Sequence, residues 1–103
     1  MRLETEMSDR KIMVRTFKLG THDERARKIG EEALEVYAAF AQYDEKVKKG
    51  NTVGAAQKAI DLMTEIGDVI TAAVNFAEAL GINAQVAVEF AEQKNRKRGR
   101  YYE

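Results

Sequence analysis

Two short acidic motifs hold the residues best suited to do chemistry. The first is Glu31-Glu32-Ala33-Leu34-Glu35, an EExxE pattern, and the second is Glu65-Ile66-Gly67-Asp68, an ExxD pattern. At about 100° per residue, positions three apart share a helix face, so Glu32 pairs with Glu35 and Glu65 with Asp68. With Ile29, Val36 and Phe40 taken as the core-facing stripe, Glu32 borders that stripe and Glu35 lies one step further out. Glu31 points furthest from it. Both motifs sit in otherwise apolar stretches: Glu35 is the one charge between Ala33 and Tyr43, and Glu65 and Asp68 are the only charges between Leu62 and Ala77. Carboxylates gathered between apolar helices repel one another, and burying them unpaired is costly. No run of arginines on these faces would neutralise them. A hard divalent cation would. Magnesium takes oxygen ligands, keeps several waters and bridges carboxylates to phosphates. The expected chemistry is therefore a magnesium site, with manganese as the substitute, whose open positions take a di- or triphosphate. Either motif alone would be read as a solvated acidic face. Their joint isolation in apolar sequence favours a site.

The elements that must position these acids are marked by local signals. Gly20 precedes Thr21-His22-Asp23-Glu24, a capping-box pattern that starts a helix. That helix can run to Lys49, with Asp23 and Glu24 at its positive end, Lys46, Lys48 and Lys49 at its negative end, and Gly50 closing it. Asn51 or Thr52 caps a second helix running to about Leu80 and stopping at Gly81. Asn83 caps a third, ending near Gly99. Ahead of Gly20, Ser8 as a cap and Ile12, Met13, Val14 and Phe17 outline a short amphipathic helix. The expectation is an all-α, four-helix bundle with a long central antiparallel pair. Folding the chain about residue 51 sets Glu35 opposite Gly67 and Ala33 opposite Val69. The motifs then meet within one turn, about 5.4 Å.

Composition narrows the function. The 103 residues fit one domain, 1–103, and a chain this short buries only a little over ~60% of its unfolded surface. The sparsely charged central helices are apolar over more than one stripe, which predicts a homodimer or homotetramer. No proline interrupts the helices. Seventeen basic residues balance seventeen acidic ones, so no broad basic face offers itself to nucleic acid. The lack of cysteine excludes thiol catalysis and zinc-thiolate sites. No apolar run approaches the ~20 residues of a membrane span and no signal-peptide core is present, so a cytoplasmic location without membrane attachment is expected. Walker A, dinucleotide-binding and HExxH patterns are absent.

From Asp23 to Tyr101 the chain resembles the MazG-like all-α nucleotide pyrophosphohydrolases, a superfamily related to the phosphoribosyl-ATP pyrophosphohydrolases. The resemblance rests on four blocks in order: Lys28-Ile29-Gly30-Glu31-Glu32-Ala33-Leu34-Glu35-Val36, Glu65-Ile66-Gly67-Asp68-Val69, Leu80-Gly81-Ile82 and Lys94-Asn95-Arg96-Lys97-Arg98-Gly99. It implies metal ligation by Glu32, Glu35, Glu65 and Asp68. It also implies hydrolysis of a nucleoside triphosphate between the α- and β-phosphates, giving a nucleoside monophosphate and pyrophosphate. Glu31 and Glu35 are the candidates for the base that takes the proton of the attacking water, and the sequence does not choose between them. Lys94, Asn95 and Arg98 match the last block and are candidates for holding phosphates, although a basic helix end is also a stable feature by itself. Lys28 can reach a phosphate or form a salt bridge to Glu31 or Glu32, with the salt bridge favoured. Asn75 lies on the Asp68 side of its helix, facing substrate or solvent. His22, at a helix start, is read as structural or surface, and Tyr101 and Tyr102 can stack on a base but are favoured as frayed chain-terminal residues. The alternatives are a phosphoribosyl-ATP pyrophosphohydrolase, or a non-catalytic helical protein that binds nucleotides or a partner.

Overall fold

A computed structural model describes residues 11–18 and 20–101. They contain three helices and no strand: α1 (His22–Lys48), α2 (Thr52–Ala79) and α3 (Ala84–Lys97). The start of α1 follows from its cap. The Glu24 amide donates to the Thr21 hydroxyl at 3.0 Å, and the Thr21 amide donates to the Glu24 carboxylate at 3.1 Å. Two of the orphan donors of the first turn are thereby satisfied. Asn51 caps α2 through the Gly54 amide at 2.9 Å, and Asn83 caps α3 through the amides of Gln85 and Val86.

The turns between helices need glycine. Gly50 has φ 71° and Gly81 φ 75°, the left-handed region that a side chain disfavours. At each, paired backbone bonds close the helix: Asn51 to Lys46 and Gly50 to Val47 after α1, Ile82 to Ala77 and Gly81 to Glu78 after α2. The first turn folds α2 back along α1. The second sends α3 off at 109° to α2. As a result α3 touches the end of α2 and does not pack against α1.

The expected short helix over Ile12, Met13, Val14 and Phe17 is not formed. Residues 11–18 are irregular, and Ser8, its expected cap, lies outside the described residues. The reason is a tertiary anchor. The Asn75 side chain donates to the Arg15 carbonyl at 2.9 Å and accepts from the Phe17 amide at 2.7 Å. These are the backbone groups that a helix would have used internally.

The seam between α1 and α2 has a seven-residue repeat. Arg25, Ile29, Glu32, Val36, Ala39, Tyr43 and Lys46 of α1 are buried or half-buried, spaced alternately four and three. Ala55, Lys58, Leu62, Glu65, Val69, Ala72 and Phe76 do the same on α2. This is the spacing of an antiparallel coiled-coil seam. It corrects the expected stripe: Phe40 is 47% exposed, and Glu32 lies within the seam rather than beside it. The 3.5-residue period of a paired helix, rather than the 3.6 of a lone one, accounts for the shift.

Among the described residues only Glu32, Ala72 and Asn75 are buried. Large apolar side chains remain open on other faces: Leu34 and Tyr37 on α1, Ile60, Met63 and Ile66 on α2, and Val88 and Phe90 on α3. Each would contribute about 1.5–3 kcal/mol if fully covered. No single helix among the described residues is long and apolar enough to cross a membrane.

Candidate metal centre

Glu32 and Glu65 occupy seam positions where the repeat calls for apolar side chains. Glu32 is 5% exposed. Its Oε1 accepts from Lys28 Nζ at 3.0 Å, one helical turn earlier, and its Oε2 is buried without a partner. Glu65 Oε2 is likewise buried and unpartnered. Asp68, one turn beyond Glu65, completes the group: one carboxylate oxygen from each of Glu32, Glu65 and Asp68 lies within 4.8 Å of the others. Unsatisfied buried carboxylate oxygens are expensive, because their desolvation is not repaid. Lys28 pairs with one of these oxygens and leaves the rest. The donor set is all oxygen and contains neither nitrogen nor sulfur, which suits a hard divalent ion such as magnesium, manganese or calcium. The residues present therefore fit such an ion, and the donor set alone does not select among the three.

Glu35 stands at the edge of this group. Its carboxyl titrates above the ordinary value of 4.5, first because of its hydrogen bond with Glu65, then because of the negative charge on Glu32 and on Glu65. Lys28 shifts upward as well, chiefly through its hydrogen bond with Glu32.

The other residues singled out in the sequence are distributed differently. Glu31 is exposed, about 100° round the helix from Glu32. Lys94, Asn95 and Arg98 lie at the far end of α3, and no hydrogen bond or ion pair found among the described residues joins them to the carboxylates. Asn95 instead accepts from Arg100 at 3.0 Å and donates to the Tyr101 hydroxyl at 3.5 Å, folding the tail on itself. His22 is the exposed first residue of α1. Asn75 does not face solvent: at 3% exposure it anchors residues 15 and 17. A polar residue on the inner side of an apolar helix was the available sequence signal for that role.

Two cavities flank the carboxylates. One, of about 330 Å³, lies beside Glu35 and Glu65 and is lined also by Ala38, Ala39, Gln42, Asp61 and Thr64. The other, of about 210 Å³, opens at Lys28 on the side of the α1 N-terminus.

No family model matches the chain, and no curated protein or solved structure matches it either.

Proposed function

We propose that this chain is a magnesium-dependent nucleoside triphosphate pyrophosphohydrolase of the MazG-like all-α kind, acting as a homodimer or homotetramer. The observation that carries the reading is the pair of buried, unpartnered oxygens on Glu32 and Glu65, set at seam positions with Asp68 within reach. Two apolar positions of a coiled-coil seam given over to unsatisfied acids cost stability, and a bound cation offsets that cost.

Glu32, Glu65 and Asp68 would hold the ion, with Glu35 as the adjoining fourth carboxylate. When bound there, magnesium neutralises phosphate charge and lowers the pKa of a coordinated water. Glu35 is the better candidate for taking that water's proton, since it stands against Glu65 while Glu31 faces solvent. Lys28 holds Glu32 in place through the 3.0 Å bond. The bare apolar faces of α1, α2 and α3 support self-association.

The test is a panel of nucleoside triphosphates and phosphoribosyl-ATP incubated with magnesium, scored for pyrophosphate and the matching monophosphate. Release from nucleoside triphosphates is expected. Release from phosphoribosyl-ATP alone would move the substrate to that class, and release from none would remove the enzymatic reading.

A further inference from the structure

We propose that the cavity at Lys28 is the seat of the substrate's terminal phosphates, with the 11–18 segment as one of its walls. The inference rests on the pyrophosphohydrolase reading for the identity of the ligand, and on the cavity's own geometry for its charge preference. Phe17, Lys18, Arg25, Lys28 and Ala72 line it. Lys28 lies one turn before Glu32 on α1, and Ala72 one turn after Asp68 on α2. On both helices the cavity thus begins about 6 Å along the axis from the carboxylates, four residues at 1.5 Å each. A polyphosphate held by an ion at the carboxylates extends naturally into it.

Charge decides between the two flanking cavities. The larger one carries Glu35, Asp61 and Glu65 and no cation, so it repels a phosphate chain. The cavity at Lys28 carries Lys18 and Arg25, besides Lys28 itself, which is paired with Glu32, against one acid, Glu24, which is engaged with the Thr21 amide. Among the described residues neither Lys18 nor Arg25 has a carboxylate partner. Arg25 donates from Nε to the Gly20 carbonyl and from Nη2 to the Lys18 carbonyl, both at 3.4 Å. Its remaining guanidinium N–H groups have no partner among the described residues and can form the fork that matches phosphate oxygens. The volume, about 210 Å³, is below the ~300–1,000 Å³ of a pocket that encloses a whole drug-sized ligand. It therefore suits one end of a nucleotide.

Asn75 is the positioning residue. By pinning the Arg15 carbonyl and the Phe17 amide to α2, it fixes the segment that presents Phe17 and Lys18 to the cavity.

The experiment is calorimetric titration of the full chain with inorganic pyrophosphate, in chelator and again with magnesium, alongside triphosphate hydrolysis. Lys18→Gln and Arg25→Gln are compared with wild type, singly and together. The double variant is expected to bind pyrophosphate at least tenfold more weakly, with an unchanged melting temperature and a raised KM. Should Arg25→Gln unfold the chain, Lys18→Gln alone, on an exposed side chain, is expected to weaken binding severalfold. Wild-type affinity in the folded variants, or no pyrophosphate binding by wild type, overturns the cavity assignment. Hydrolysis by wild type with unaltered variants would leave the enzymatic reading standing without this cavity. Charge-dependent pyrophosphate binding without hydrolysis would do the reverse.

Discussion

Lys28 Nζ lies 3.0 Å from Glu32 Oε1, and the other oxygen of the same carboxylate is buried with no partner. Half of that group is satisfied by the protein and half is not, which the proposed cation would remedy. Magnesium is therefore expected to raise the melting temperature, with a gain of about 2.7 kcal/mol at a concentration a hundredfold above its Kd. Glu35→Gln should abolish hydrolysis, because a neutral amide ligates the ion poorly. The same substitution should raise the melting temperature of the metal-free protein, since one of the crowded charges is gone. Thermal melts with and without magnesium check the two stability outcomes and a pyrophosphate-release assay the loss of hydrolysis, and a wild type indifferent to magnesium would discard the site.

Assembly is open to a direct test. Met63 is 62% exposed on α2, so Met63→Lys would barely disturb an isolated protomer. If a second copy covers that face, the substitution should shift sedimentation toward monomer and lower the melting temperature. An unchanged sedimentation profile would clear the Met63 face of any role, and a wild type that is monomeric at micromolar concentration would end the oligomer proposal.

A pH dependence follows from the helix start. Glu24 titrates below its ordinary value of 4.5, first through the Thr21 amide and then through the Thr21 side chain. A carboxylate lowered by folding stabilises the fold fully above the ordinary value and loses that contribution as pH falls through the lowered one. Glu24→Gln should thus be less stable than wild type at neutral pH. The two should converge in acid, below the folded-state value. Melting curves across pH 2–7 read this directly, and a constant gap at every pH would contradict it.

Asn75→Asp keeps the shape but replaces the amide donor with an acceptor. The Arg15 carbonyl then loses its partner and meets a negative charge. The expected loss is about 1–3 kcal/mol, the cost of an unsatisfied buried group. Hydrogen exchange at the Phe17 amide should speed up as the segment detaches. Unaltered exchange there would mean that Asn75 does not hold it.

The basic tail separates two roles. If Lys94 and Arg98 only stabilise the end of α3, neutralising them should cost about 0.3–1 kcal/mol and leave kinetics intact. If a neighbouring copy brings them to a substrate, KM should rise instead. Steady-state kinetics of Lys94→Gln and Arg98→Gln decide between these outcomes.

Signals confined to a few neighbouring residues were legible in the sequence. Thr21 with Glu24, Gly50 with Asn51, and Asn83 mark boundaries because their partners lie within one turn. The level meeting of Glu32 with Glu65 and Asp68 followed from the same turn, since a hairpin of known pivot fixes which residues face each other. The seam was harder. Phe40 looks inward at a 3.6 period and turns outward at 3.5, the period two paired helices adopt. Asn75 stood out as a polar residue in an apolar helix, but its anchoring role was not legible, because its partners Arg15 and Phe17 lie 60 and 58 residues away and are backbone groups without a sequence signature. The apolar spacing of Ile12 to Phe17 indicated a helix for the same reason: propensity is local, and the contact that overrides it is not.

The 109° turn after Gly81 makes α3 an outstretched arm that offers its own hairpin almost no cover. Phe90 on that arm is 70% exposed. If another chain receives the arm, as the proposed homo-oligomer requires, abundance becomes a control variable, each added copy supporting the ones already present. Activity per molecule would climb with protein concentration before levelling, and a flat dose curve down to nanomolar levels would show that the arm needs no receiver.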